Sequence, residues 1–208
     1  MLRSLLTGLL IGGVMAPLAL QAEGESAKEM GRELVKEFRC DGCHGMDGNG
    51  TSPPLPEYPK LAGLDADYIV KQLEDFTTDL RPSPFMTPFA IRLDEEQRQA
   101  VAAWFSSQTM RPEPPRDPEL VARGEVLHFE GNPDSGVPAC AGCHGDDARG
   151  QPRFPRLAGQ HPDYAYREMK RFKTGERDND SRMAMQRVVM RMTDEEKLAT
   201  AEYHATLD

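Results

Sequence analysis

All four cysteines of the chain belong to two pentads with the same pattern, Cys-x-x-Cys-His. The pentads are Cys40-Asp41-Gly42-Cys43-His44 and Cys140-Ala141-Gly142-Cys143-His144. This spacing is the attachment site of haem c. On a helical turn, positions i and i+3 share a face, so two thiols can form thioethers with the haem vinyl groups while the next residue presents its imidazole to the iron. The sequence therefore predicts two covalently bound haem c groups, with His44 and His144 as iron ligands.

Three other chemistries use paired cysteines: redox dithiols, zinc sites and structural disulfides. A thioredoxin-type dithiol needs no histidine and lies in an alternation of strands and helices, which this sequence lacks. Zinc requires four ligands at each site, and neither half has a second ligand pair near its pentad. Four cysteines are too few for a disulfide scaffold in a chain of 208 residues. Only five histidines occur in the chain, and one follows each cysteine pair, which favours haem c.

The two pentads belong to a longer internal repeat. The segment Pro59-Lys60-Leu61-Ala62-Gly63 returns as Pro155-Arg156-Leu157-Ala158-Gly159. At the same offset Tyr68 matches Tyr164, and further along Trp104 matches Tyr203 at a slightly larger offset. An aromatic residue at helical spacing is more often core than cofactor contact, so we expect Tyr68 and Tyr164 in the core. Two copies of one unit indicate two domains of one kind.

A haem that only transfers electrons needs a sixth iron ligand, and methionine sulfur is the ligand that raises its potential. The chain has 11 methionines, and most methionines in proteins fill space in a core. The repeat selects Met86 and Met185, because each precedes a matched position, Leu93 or Met192, by the same distance in sequence. Met183 is the rival in the second half, but the register of the repeat favours Met185.

The remaining histidines and two prolines have less certain roles in the sequence. A ligating imidazole donates its second N–H to a fixed acceptor. The carbonyls of Pro59 and Pro155 could accept this hydrogen bond, although both prolines could equally serve only to stiffen a loop. The other histidines are not expected to bind iron. They are His128 on a predicted helix, His161 in a loop and His204 near the end of the sequence.

Hydrophobic periodicity predicts an all-α fold with three helices in each half. Residues 27–38 place apolar side chains on one helical face. The third helix of each half begins at an acidic triplet, 94–96 or 194–196, which suits a helix N-terminus. No segment alternates as a strand does. Glycine and proline concentrate in residues 45–60 and 145–156, which predicts loops there.

A proline-rich segment divides the two repeats. Residues 111–118 contain four prolines, which disfavours a helix and favours an extended, stiff linker. We therefore expect one haem-binding domain over residues 23–110, with the first haem, and a second over 119–208, with the second haem.

The start of the sequence has the features of a secretory signal peptide. A positively charged start is followed by an apolar run, and Ala22 offers a small residue for cleavage. The alternative, an uncleaved membrane anchor, normally needs about 20 apolar residues, more than this run provides. Residues 1–22 are therefore predicted to be removed, with the mature protein outside the cytoplasm.

The composition describes a soluble acidic protein. There are 34 acidic and 25 basic residues, a net charge of -9, and the mean hydropathy is -0.60. This charge is of the wrong sign for broad binding to nucleic acid. Residues 23–110 hold 16 acidic and 9 basic groups, against 16 and 13 in residues 119–208. We therefore expect the first domain to meet a more basic partner surface than the second.

Taken together, these features resemble the dihaem cytochromes c4. The resemblance rests on both pentads, the two Pro-Lys/Arg-Leu-Ala-Gly loops, the segment 172–180 and the paired methionines, and it covers nearly all of residues 27–207. It implies two class I cytochrome c domains that face each other across a pseudo-twofold axis, with histidine and methionine on each iron. It also implies a periplasmic carrier that delivers electrons to a terminal oxidase.

The chemistry of closed iron sites leads to the same expectation. If protein ligands occupy both axial positions, no position is free for a substrate, so the reaction is outer-sphere transfer of single electrons. We expect an electron-transfer protein, not an enzyme. The expected partners are a cytochrome bc1-type donor or a dehydrogenase, and a terminal oxidase as acceptor. The alternative is an electron-accepting cytochrome subunit of a dehydrogenase complex, for example one that oxidises sulfur compounds. Peripheral association with a membrane stays open.

Overall fold

The computed structural model describes residues 16–51, 58–78 and 80–208, which form ten α-helices. The helices are α1 (Ala16–Glu37), α2 (Asp41–His44), α3 (Ala66–Thr77), α4 (Thr87–Ala90), α5 (Glu95–Ser106), α6 (Pro118–Phe129), α7 (Ala141–His144), α8 (Pro162–Thr174), α9 (Ala184–Val189) and α10 (Asp194–Thr206). A 3₁₀ turn, Ser181–Met183, precedes α9. Within the described ranges, β-type pairing is limited to two isolated bridges. The predicted all-α fold is confirmed.

The predicted signal peptide falls mostly outside this description. Residues 1–15 lie outside the described residues, and the backbone of residues 16–22 is helical and continuous with α1. Helix α1 therefore begins well before the predicted residue 27. In the part of the chain that the structure describes, no helix has both the length and the apolar character needed to span a membrane.

The first and last helices of each half cross at a glycine. A Cβ at Gly31 would lie 2.0 Å from the carbonyl oxygen of Ala100 in α5, and a Cβ at Gly124 would lie 2.1 Å from that of Ala199 in α10. No side chain fits at such distances, so glycine is what allows α1 to pack on α5 and α6 on α10. The same crossing in both halves confirms the internal repeat and aligns its helices.

The third helix of each half begins with a capping box. Asp94 accepts a hydrogen bond from the N–H of Gln97, and the Gln97 side chain accepts one from the N–H of Asp94. Thr193 and Glu196 form the same pair at the start of α10. These reciprocal bonds satisfy backbone donors that a helix start leaves open. The acidic triplets thus mark both helix starts, although the cap of α10 is Thr193, one residue before Asp194.

The proline-rich segment lies against the second half. The N–H of Glu113 donates to the carbonyl of Ala205 at 2.8 Å, and Arg116 donates to the Asp163 carboxylate at 2.9 Å. Asp117 caps α6, and Pro118, expected in the linker, is already the first residue of that helix. Proline is tolerated at the first helical position, because a backbone N–H there has no acceptor within the helix and its absence costs no hydrogen bond.

The two repeated Pro-Lys/Arg-Leu-Ala-Gly loops meet where the halves contact each other. The N–H of Lys60 donates to Oε1 of Gln160 at 2.8 Å, and Nε2 of Gln160 donates to the Lys60 carbonyl at 2.9 Å. Nζ of Lys60 donates to the carbonyls of Arg111 and Gly159. These bonds, most of them buried, fix the position of one half against the other, because separating the halves would leave buried polar groups without partners.

Candidate functional site

A cavity of about 2190 Å³ lies between the two halves and reaches both pentads. All of the predicted haem-binding side chains line it: Cys40, Cys43, His44, Met86, Cys140, Cys143, His144 and Met185. They come from α2 and α7, which carry the pentads, and from the segments around the starts of α4 and α9. The fold therefore brings together residues that are far apart in the sequence.

Each pentad histidine is held by a carbonyl of the following loop. Nδ1 of His44 lies 2.9 Å from the Pro59 carbonyl, and Nδ1 of His144 lies 2.8 Å from the Pro155 carbonyl. A carbonyl can only accept, so Nδ1 must carry the proton in both rings. The other nitrogen, Nε2, is then free to bind a metal. The sequence left the role of both prolines undecided, and the structure gives them this one.

The electrostatics of both histidines suit an iron ligand. Burial lowers the pKa of His44 and of His144 below the usual value, although the hydrogen bonds that they donate to the carbonyls of Pro59 and Pro155 act in the opposite direction. Both rings are therefore neutral near pH 7, as a metal ligand requires. Nε2 of His144 is buried and has no hydrogen-bond partner among the described residues. A buried nitrogen of this kind, on the wall of a cavity, fits coordination to a haem iron.

The surroundings of the thiols argue against the other interpretations of the pentads, as redox dithiols, disulfides or zinc sites. Burial raises the pKa of Cys40 and of Cys140 to about 11, whereas redox-active dithiols have a lowered pKa. None of the four cysteines forms a disulfide. Among the described residues, the one cluster of potential metal ligands contains Cys140 with two histidines from outside the pentad. Neither pentad therefore provides a zinc site of its own.

The two predicted methionines are held in similar ways. The N–H of Met86 donates to Oγ of Ser83 at 3.0 Å, and the N–H of Met185 donates to Oδ2 of Asp180 at 2.6 Å. Both side chains are half-buried and line the cavity. A side-chain acceptor a few residues upstream thus fixes each methionine backbone at the cavity wall.

The rival methionine faces away from the cavity. Met183 is 51% exposed and is absent from the cavity wall. Arg182 and Met183 have φ values of 57° and 55°, in the left-handed region that residues other than glycine rarely adopt. Because of these two left-handed residues, Met183 is exposed, whereas Met185, two residues later, lines the cavity. The geometry therefore supports the register argument for Met185.

A buried cluster of polar side chains lies on the cavity wall between the two pentads. Glu168 in α8 accepts a hydrogen bond from Arg81 and another from Arg177, each at 2.8 Å. Arg81 also donates to the Tyr164 hydroxyl at 3.0 Å, and Arg177 to the Tyr68 hydroxyl at 3.1 Å. The two arginines match in the repeat, as do the two tyrosines, so the cluster follows the internal symmetry. Tyr68 and Tyr164 are thus polar contacts at the cavity wall and not simply core residues.

The symmetry of this cluster is broken at one position. Gln72 stands in the first half where Glu168 stands in the second, and its Oε1 accepts from Arg81 at 2.7 Å. Burial alone would raise the pKa of Glu168, but Arg177 and Arg81 hold it below the usual value. The single negative charge of Glu168 is thus shared between the positive charges of Arg81 and Arg177. This pair was not expected from the sequence, although it lies one helical turn beyond Tyr68 and Tyr164 at the same offset.

Comparison with known proteins agrees with the geometry. Residues 123–208 match the family model described as Cytochrome c, and residues 26–105 match that described as Cytochrome C oxidase, cbb3-type, subunit III. The fold and the paired pentads therefore define a c-type cytochrome with two haem-binding domains.

Cytochrome c4 from Thiocapsa roseopersicina is 41% identical over 185 residues, covering 86% of this chain and 94% of that protein. The crystal structure of reduced recombinant cytochrome c4 from Pseudomonas stutzeri has a TM-score of 0.81 at 34% identity, covering 87% of this chain and 98% of that one. The chain belongs to the cytochrome c4 family.

The family establishes the cofactor and the general role. The protein carries two covalently bound haem c groups and is an electron-transfer protein. A further relative is named thiosulfate dehydrogenase electron acceptor, from Stutzerimonas stutzeri (strain A1501). It is 34% identical over 209 residues, covering 95% of this chain and 94% of that protein.

Glu168→Gln should destabilise the protein, because it removes the carboxylate between two largely buried arginines. We expect the free energy of unfolding at pH 7 to fall by about 3–5 kcal/mol, measured by chemical denaturation of the holoprotein. The folded-state pKa of Glu168 is lowered, so its contribution is complete above the unfolded pKa and is lost as the pH falls through the folded value. The difference between the two proteins should therefore shrink below about pH 4.

The matched control for this experiment is Glu195→Gln. Glu195 pairs with Arg123, and both side chains are exposed, so the midpoint of unfolding should not change measurably. Equal effects of the two substitutions would contradict the role assigned to Glu168.

Proposed function

We propose that the protein is a periplasmic dihaem carrier that receives single electrons from one partner and passes them to a terminal oxidase. The observation that carries this proposal is the convergence of two cysteines, a histidine and a methionine from each half on one cavity. If His44 and Met86 held one iron and His144 and Met185 the other, no coordination position would remain for a substrate. When bound, haem would supply the one-electron chemistry, and these residues would hold it in the cavity.

The proposed assignment of residues follows the repeat. Haem 1 takes Cys40 and Cys43 as thioethers and His44 and Met86 as axial ligands, and haem 2 takes Cys140, Cys143, His144 and Met185. The domains run from 23 to 110 and from 119 to 208, and residues 1–22 serve as the cleaved leader that directs export. The hydrogen bonds from Nδ1 of each axial histidine support this assignment, because they present Nε2 to the cavity.

A second candidate function is that of an electron-accepting subunit in a dehydrogenase complex. The similarity to a protein named thiosulfate dehydrogenase electron acceptor favours it. Such a subunit would have the same fold and the same closed iron sites. Copurification of the protein with an enzyme that oxidises thiosulfate would favour this function, and rapid oxidation of the isolated protein by a purified terminal oxidase would favour the carrier.

The chain segments around the two methionines offer different surfaces to such partners. The segment 82–91 around Met86 carries no charge, and Phe85 and Ile91 in it are 66% and 60% exposed. The segment 181–191 around Met185 instead carries three arginines, all exposed. Because the first domain is also the more acidic one, we propose that it docks a partner with a basic rim, while the arginines of segment 181–191 attract negative charge locally.

Met185→Ala should abolish the sulfur-to-iron charge-transfer band of haem 2 and lower its potential, because methionine sulfur favours the reduced iron. Met86→Ala should do the same at haem 1. Optical redox titration of the purified holoprotein measures both effects. Met183→Ala is the matched control and should leave the band and both potentials unchanged. Loss of the band in the Met183 variant, with an unchanged spectrum in the Met185 variant, would reverse the assignment.

Neutralising the arginines near Met185 should slow oxidation of the reduced protein by ferricyanide. For Arg182→Gln with Arg187→Gln we expect a several-fold lower rate at low ionic strength, because these exposed side chains attract the anion locally. The difference should disappear near 1 M salt, where the screening length is about 3 Å. Glu95→Gln with Glu96→Gln is the opposite control and should not slow the reaction. Slowing of the arginine variant by the same factor at every salt concentration, measured by stopped flow, would refute the steering role.

A further inference from the structure

The second half contains a buried pair of histidines that the first half lacks. Nδ1 of His128 in α6 and Nε2 of His204 in α10 lie 3.0 Å apart, and the two residues are 0% and 3% exposed. Val35 and Phe105, each 0% exposed, occupy the matching positions in the first half. Two imidazoles thus replace an apolar pair at the same place in the fold.

The match between these positions follows from the helix crossings. Val35 and His128 each lie one helical turn after the crossing glycine of their helix, Gly31 or Gly124. Trp104 packs against Gly31, and Tyr203 packs against Gly124 in the same way. Phe105 directly follows Trp104 in the sequence, and His204 directly follows Tyr203. The pairs therefore occupy equivalent positions on equivalent helices.

The hydrogen bonds of the histidine pair determine which nitrogens carry protons. Nε2 of His128 lies 3.1 Å from the carbonyl oxygen of Asp146, which can only accept, so this nitrogen carries the proton. In neutral rings, Nδ1 of His128 then accepts from Nε2–H of His204, and Nδ1 of His204 is left without a proton. Burial and the neighbouring His128 keep the pKa of His204 well below its usual value, which agrees with a neutral ring.

The pair contacts the parts of the chain assigned to haem 2. Asp146 lies two residues beyond His144, so the hydrogen bond from His128 holds the loop that follows the axial ligand. One nitrogen each of His128 and His204 and the sulfur of Cys140 lie within 4.8 Å of one another. His204 also lines the cavity. The pair therefore connects the thioether, the loop after the axial histidine and the cavity wall.

The first half holds the same loop with a different donor. Nε1 of Trp104 donates to the carbonyl of Met46 at 2.9 Å, and Met46 lies two residues beyond His44. Tyr203, which matches Trp104, has no indole N–H. In the second half, therefore, His128 on another helix supplies the donor. The loop carbonyl is satisfied in both halves, but only the second half satisfies it with a pair of polar rings.

We propose that His128 and His204 are positioning residues of haem 2, which fix the loop after His144 and hold the potential of haem 2 below the value that an apolar pair would give. This rests on the proposed function, because it requires attachment at Cys140 and ligation by His144. The unprotonated nitrogen of His204 carries partial negative charge, which favours the more positive, oxidised iron. In a buried environment of low polarity such a dipole acts more strongly than in water.

The test replaces His204 by the residue of the first half. In the holoprotein, His204→Phe should shift the midpoint potential of haem 2 upward in an optical redox titration, while the potential of haem 1 and both sulfur-to-iron bands stay unchanged. His204→Gln is the matched control, because its amide can donate to Nδ1 of His128 and retains an acceptor oxygen. Its haem 2 potential should lie near that of the wild type. An unchanged haem 2 potential in a His204→Phe protein that keeps both bands would overturn the proposal.

Two further measurements cover the case in which His204→Phe does not assemble. The triple variant His128→Val, Tyr203→Trp, His204→Phe rebuilds the first-half arrangement, including the indole donor, and should show the same upward shift; no shift would overturn the proposal. In the wild-type holoprotein, ¹⁵N NMR should find the proton on Nε2 of both His128 and His204, and a proton on Nδ1 of either ring would also overturn it. A mass spectrum that lacks the second haem would instead contradict the proposed function.

Discussion

The hydrogen bond between each pentad histidine and a loop carbonyl is the constraint on which the site depends. An imidazole binds iron through an unprotonated nitrogen, and the ring has only two nitrogens, so the proton must be fixed on Nδ1. The carbonyls of Pro59 and Pro155 do this at 2.9 and 2.8 Å. Each loop must therefore return to its own pentad, and the helix crossings at Gly31 and Gly124 form the frame that lets it do so.

Two copies of this arrangement share one interface, and their symmetry explains much of its composition. Loops with the same sequence pattern meet at Lys60 and Gln160, and matched arginines reach the tyrosines of the opposite half. Two of the differences between the copies lie at the wall of the cavity between the halves or close to it. Glu168 adds one buried charge where Gln72 has none, and the histidine pair adds polar rings in the second half only. Two domains of one fold thus provide two haem environments that are not equal.

This inequality suits a protein that moves electrons between two partners. The uncharged, apolar segment around Met86 and the arginine-bearing segment around Met185 offer different surfaces at the two methionines. The interiors of the two domains differ as well, and buried polar groups act on a potential more strongly than exposed ones. The surfaces therefore distinguish the two domains through long-range charge, and the interiors distinguish them independently through short-range dipoles.

The sequence by itself determined the chemistry and the repeat: the pentads specify haem c, the spacing of the two copies selects Met86 and Met185, and hydrophobic periodicity gives an all-α fold. These features are local or recur at a fixed offset, so they can be read along the chain. Only the tertiary structure decided that the carbonyls of Pro59 and Pro155 hold the histidines, that Tyr68 and Tyr164 bond across the interface, and that His128 meets His204. Such contacts join residues from separate helices and loops, and no single-chain pattern encodes a distance between them. The register suggested Met185, whereas its contact with the cavity depends on how the turn at Arg182 and Met183 folds.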